Sequence, residues 1–107
     1  MPKLNETQIE AVLSALDGWG LMPPSEEAPG GALRKEFEFR DFASAMVWVN
    51  RVAEEAEDAN HHPDISISYS HVTLTLWTHT AGGVTEKDAM LAEVINDLPR
   101  GSEIESE

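Results

Sequence analysis

The chain has 107 residues, 41% of them hydrophobic, which suits one domain with a modest core and leaves little room for a second. Its 20 Asp and Glu against 7 Lys and Arg give a formal charge of −13, which repels phosphate backbones and anionic lipid; direct nucleic-acid binding is disfavoured and solubility is the plain meaning of the charge. The absence of cysteine excludes disulfides, thiolate nucleophiles and Cys-based metal sites, and with no apolar run near the roughly 20 residues of a membrane span and no signal-peptide core in Met1-Pro2-Lys3-Leu4-Asn5-Glu6, a soluble, cytoplasmic protein without membrane contact is expected.

Residues 5–16 carry Ile9, Val12, Leu13 and Leu16 at helical spacing, with Asn5 as N-cap, Gln8 placed to reach back, and Asp17-Gly18 as the stop. A short strand is predicted from Trp19 to Met22, and its Pro and Gly residues make 23–31 a loop. A second strand, Ala32–Phe39, sets Leu33, Lys35, Phe37 and Phe39 on one face, with Lys35 the polar exception. Asp41 caps a helix over 42–58 whose apolar stripe is Phe42, Ala45, Met46, Val49, Val52, Ala53 and Ala56. Trp48 lies off that stripe and either covers its edge or meets another subunit. Pro63 keeps the helix from running on. Ile65, Ile67 and Tyr69 alternate with polar residues, as do Val72, Leu74 and Leu76, which predicts two half-buried strands of an antiparallel hairpin turning at Ser70-His71. After the turn Ala81-Gly82-Gly83, Thr85 starts a third helix with Leu91, Val94, Ile95 and Leu98 inward, stopped by Pro99 and Gly101. The expected domain is 1–98, and 99–107 reads as an acidic, disordered tail. The order α-β-β-α-β-β-α predicts an α+β fold, a four-stranded antiparallel sheet packed on one face by three helices.

Three of the four histidines come together if the hairpin forms. With Ser70-His71 as the turn, Tyr69 faces Val72, Ile67 faces Leu74 and Ile65 faces Leu76. Continued, that register sets His62 opposite His79, at about 5 Å between Cβ atoms. Trp77 shares their face, and His61 comes one residue earlier beside Thr80. Imidazole gives and takes protons near neutral pH. Two or three such rings around one pocket can run both halves of a dehydration, one protonating a leaving hydroxyl and another taking a proton from the substrate, with no cofactor. His61-His62-Pro63 reads equally as a polar connection from helix to strand. Zinc is a lesser alternative, because neither an HExxH spacing nor a cysteine is present. His71 at the hairpin tip reads as solvated. Thr85-Glu86-Lys87-Asp88 matches a capping box, so Asp88 organises the helix start. Glu57, near a helix C-terminus that disfavours it, either orients a neighbouring imidazole or is a solvated surface charge.

Glu57-Asp58-Ala59-Asn60-His61-His62-Pro63, followed by Tyr69, Thr78-His79 and Asp88 behind a Gly-Val-Thr-Glu-Lys helix start, resembles the pterin-4a-carbinolamine dehydratase family in residues and spacing. Gly18-Trp19, Phe37, Phe39 and Asp41-Phe42 extend the resemblance over about residues 4–98. It implies the same α+β fold and a hydro-lyase that converts 4a-hydroxytetrahydropterin, left by an aromatic amino acid hydroxylase, into quinonoid dihydropterin and water. The pterin is the substrate, and no cofactor or metal is implied. His61, His62 and His79 become the catalytic set, with His61 and His79 as the acid–base pair and His62 positioning the pterin. Asn60, His61, His62, Trp77, Thr78, His79 and Thr80 line the pocket, with Glu57 and Asp88 in support. The family forms homodimers or homotetramers by joining sheet edges and packing helices. An animal member also serves as dimerisation cofactor of a homeodomain transcription factor, so a non-catalytic assembly or coactivator partner is the alternative. A pterin of molybdopterin metabolism is the other substrate compatible with the same chemistry. Trp77 departs from the small residue usual there and is expected to stack on the pterin or narrow the pocket. Ser70-His71 departs from the usual Asn-Lys turn, Asn60 from an acid found in some members, and the charge is more negative than the family's.

Overall fold

Leu33 and Phe37 in one strand, and Val72, Leu74 and Leu76 in another, point to the same side of a sheet, and that side is the core. The computed structural model describes residues 2–99 and shows seven elements in the predicted order. They are α1 (Glu6–Ala15), β1 (Gly20–Met22), β2 (Ala32–Glu38), α2 (Phe42–Ala59), β3 (Asp64–Ser68), β4 (His71–Leu76) and α3 (Glu86–Asp97). The strands pair antiparallel in the order β1-β2-β4-β3. Register sets Leu33 against Leu76, Lys35 against Leu74 and Phe37 against Val72. Ile9 of α1, Ala45, Val49, Val52 and Ala56 of α2, and Leu91, Ala92 and Ile95 of α3 close over that face. Each fully buried Val or Leu there contributes roughly 1.5–3 kcal/mol. The other face carries Arg34, Glu36 and Glu38, all exposed, so among the described residues the sheet is covered on one side only. No helix among the described residues is long and apolar enough to cross a membrane.

Lys35 explains how a cation fits the inward row. Its stem follows the apolar face, and its ammonium donates to the Asp17 carbonyl (2.8 Å) and to Asn96 Oδ1 (2.9 Å). The predicted capping box closes α1 through Asn5 and Gln8, and Asp41 caps α2 by accepting from the Ser44 backbone N–H at 2.8 Å.

Several details differ from the sequence reading. Trp48 is a core residue, 1% exposed, with ring centroids 4.4 Å from Phe37 and 5.2 Å from Phe39. The buried line of α2 runs through Ser44, Ala45, Trp48, Val49, Val52 and Ala56, which turns the helix toward the indole and leaves Phe42 half exposed and Ala53 in solvent. In α3 the buried line is Asp88, Leu91, Ala92 and Ile95, and Val94 faces out. β3 is exposed along its whole length rather than half-buried, because it is an edge strand that the helices do not reach. The hairpin turns at Tyr69-Ser70, one residue earlier than predicted. Tyr69 takes φ 56, the positive value that a two-residue hairpin turn needs at its first position, and Ser68 pairs with His71. Ile65 therefore faces Leu74 and Ile67 faces Val72. From Arg100 on, the expected tail lies outside the described residues.

Candidate active site

α2 ends where Asn60 adopts the left-handed conformation (φ 50, ψ 43), which Asn tolerates better than most residues. The Asn60 and His61 amides then bond back to the last turn, His61 to the Ala56 carbonyl at 3.0 Å. The chain reverses there, and His61 and His62 share a cleft with the segment that follows β4 at the open end of the hairpin. The β3–β4 ladder stops at Asp64 and Thr75, just past Pro63, so His62 and His79 are not ladder partners as predicted. Beyond β4, Thr78 pairs with Gly83 in an isolated bridge, and its carbonyl accepts from the Ala81, Gly82 and Gly83 amides. This knot of hydrogen bonds fixes the backbone that carries His79. It is backed by Gly30, where a Cβ would stand 2.2 Å from the Gly82 carbonyl oxygen.

An open cleft of ≈ 370 Å³ lies between the two segments, lined by Asn60, His61, His62, Trp77, Thr78, His79, Thr80 and Lys87. All seven residues expected to line a pocket are thus on one cleft, although the predicted register fails. Lys87 is the residue that sequence reasoning missed. A lysine in the first turn of a helix runs against the dipole, and that was the available signal.

Each imidazole is held differently. Nε2 of His61 lies 2.5 Å from Asp88 Oδ1. Asp88 is fully buried, and its other oxygen accepts from the Thr78 hydroxyl and the Thr85 backbone N–H, each at 2.8 Å. Since the Thr78 proton goes to Asp88, the Thr85 hydroxyl donates to Thr78, at 2.8 Å. The buried charge is compensated by three hydrogen bonds to its two oxygens, as burial demands. Asp88 does two jobs: it completes the Thr85 capping box and it accepts from His61. A carboxylate only accepts, so the neutral form of His61 carries its proton on Nε2 and keeps Nδ1 as an acceptor. His62 Nε2 meets Glu57 Oε2 in the same manner, but on the surface. His79 lies flat against Trp77, ring centroids 3.9 Å apart and planes 19° off parallel. Trp77 stacks on that imidazole while also lining the cleft, a ring contact the sequence reading did not include. His71 stays outside the cleft, 3.6 Å from Glu38. Among the described residues no three His, Asp or Glu side chains are grouped so as to hold a metal ion.

Three imidazoles, two of them held by carboxylates and the third stacked on an indole, thus line one cleft of an α+β domain. The chain matches the model of the pterin 4 alpha carbinolamine dehydratase family over residues 2–98 and belongs to that family. It is 45% identical over 98 residues to a provisionally named pterin-4-alpha-carbinolamine dehydratase of Thermomicrobium roseum, covering 92% of this chain and 98% of the relative. The crystal structure of a transcriptional coactivator/pterin dehydratase from Brucella melitensis superposes with a TM-score of 0.76 at 35% identity, covering 88% of this chain and 95% of the other. A pterin dehydratase-like protein identified as a RuBisCO assembly factor in the alpha-carboxysome shares the fold, with a TM-score of 0.60 at 21% identity over 74% of this chain and 86% of its own.

Proposed function

We propose that the protein dehydrates a 4a-hydroxytetrahydropterin to the quinonoid dihydropterin by histidine acid–base catalysis. The observation that carries this reading is the single cleft bounded by His61, His62 and His79, with buried Asp88 behind His61. In the reaction the C4a–O bond breaks, N5 loses its proton and a C4a=N5 double bond forms. One proton is given to the departing hydroxyl and one is taken from nitrogen, so no electrons are exchanged and no cofactor is consumed. His61, with Nδ1 bare, is suited to take the N5 proton, and His79 to protonate the hydroxyl as it leaves as water. His62, tethered to Glu57 at the rim, positions the ring, with Asn60, Trp77, Thr78 and Thr80 lining its surroundings. Efficient acid–base transfer of this kind is worth about 10²–10⁴-fold in rate.

The biological setting we assign is recycling of the pterin used by aromatic amino acid hydroxylases, in the cytoplasm. Self-association fits the same reading, since β3 leaves a free sheet edge with Ile65, Ile67 and Tyr69 exposed. Light scattering is expected to report two or four chains. The coactivator description of the Brucella melitensis relative keeps an assembly role as the second reading. The test is turnover: catalytic amounts of protein should speed the decay of 4a-hydroxytetrahydrobiopterin, and the His61→Ala, His79→Ala double variant should lose about 10²-fold or more of that. Full activity in the double variant would remove the histidine mechanism. A stable partner recovered with an inactive wild-type protein would favour assembly.

A further inference from the structure

His61 and His62 each spend one ring nitrogen on a carboxylate, Asp88 and Glu57. His79 does not. No described residue hydrogen-bonds to either of its nitrogens, and its ring lies against the Trp77 indole, 3.9 Å away and 19° from parallel. The two residues alternate as the chain leaves β4, so both side chains stand on one side, and the backbone beneath them is pinned by the Thr78–Gly83 bridge. The geometry points to Trp77 as the positioning residue for His79, a flat clamp that orients the imidazole from its face and leaves both nitrogens open.

The distinction has chemical content, and it rests on the dehydratase reading above. A ring anchored through one nitrogen has one left for substrate. A ring held by its face keeps two, so His79 can hand a proton to the departing hydroxyl from one edge and take its replacement from water at the other. His79 is exposed, which leaves that second edge in contact with solvent. Stacking of aromatic rings adds to what the buried area alone supplies, enough to favour one rotamer of an otherwise free surface side chain. Loss of that orientation displaces the reacting nitrogen, and a displacement near 1 Å costs on the order of 10²-fold.

The experiment compares Trp77→Leu, which keeps apolar bulk, with Trp77→Phe, which keeps a flat ring. Trp77→Leu should lower kcat by about 10- to 100-fold while KM stays within about threefold, and Trp77→Phe should recover most of the lost kcat. A rise in KM with kcat unchanged would overturn the proposal and make Trp77 a platform for the pterin. Equal kcat in both variants and wild type would make the stack incidental. Ring-proton NMR of His79 provides a readout that needs no turnover. Its signals should lie upfield under the ring current of the stacked aromatic side chain in wild type and Trp77→Phe and move downfield in Trp77→Leu. Unmoved signals would refute the clamp even in an inactive protein, whereas moved signals with no wild-type turnover would refute the dehydratase assignment and leave the clamp standing.

Discussion

His61 and His62 are neighbours in the chain and each meets a carboxylate, yet the pairs occupy different surroundings. The side chains of His61 and Asp88 are 11% and 0% exposed; those of His62 and Glu57 are 59% and 75% exposed. In the first pair the carboxylate is also tied to Thr78 and Thr85. In the second, water competes for every lone pair. Exposed ion pairs are commonly worth no more than about 1 kcal/mol, whereas removing one member of a buried pair costs about 3–5 kcal/mol. One contact type is thus built into the fold at His61 and gives little beyond local orientation at His62.

Substitutions can break that contrast. Asp88→Ala should have the largest effect, about 3–5 kcal/mol in urea unfolding, because three donors lose their acceptor at once. Asp88→Asn keeps the volume and part of the cap. It should fold, and its kcat should fall by about 10²-fold or more because the amide no longer enforces the His61 tautomer. Thr78→Val should cost about 1–3 kcal/mol by leaving the buried Thr85 hydroxyl and Asp88 short of a partner. Glu57→Gln should stay within about 1 kcal/mol, seen as at most about a fivefold rise in KM. If Glu57→Gln matched Asp88→Asn, burial would not be what separates the pairs.

Asp41 sharpens the comparison from outside the site and has the smallest effect. Hydrogen bonds from the Ser44 backbone N–H and then its side chain hold this exposed carboxyl below its ordinary value, with Arg40 helping. A lowered folded pKa means stability that is present above the unfolded value, near pH 4, and lost as pH falls through the folded one. Thermal unfolding of Asp41→Ala should show a lower Tm at pH 7 and a smaller further loss on acidification than wild type.

Much of the fold was legible because local signals agreed. Asn5 with Gln8, Asp41, and Thr85 with Asp88 marked helix starts that the structure shows, and period-two alternation marked β2 and β4. What failed depended on tertiary context. Trp48 looked peripheral on a helical wheel because the wheel does not know where Phe37 and Phe39 stand. β3 has the alternation of a half-buried strand, but its place at the sheet edge leaves it uncovered. The turn slipped by one residue because a tyrosine at positive φ is not something composition predicts. The cleft survived that slip, since the segments on either side of the hairpin meet in either register. Asp88 was readable as a cap; its bond to His61, 27 residues away, was not. Nor was the Trp77–His79 stack, whose shared side followed from spacing but whose ring planes did not.

The most direct test follows the absorbance decay of preformed 4a-hydroxytetrahydrobiopterin with wild type, Glu57→Gln and Asp88→Asn in parallel at substoichiometric protein. Wild type and Glu57→Gln should both accelerate the decay strongly, and Asp88→Asn should leave it near the uncatalysed rate. A wild-type protein that leaves the decay unchanged, or an Asp88→Asn variant as fast as wild type, would contradict the account.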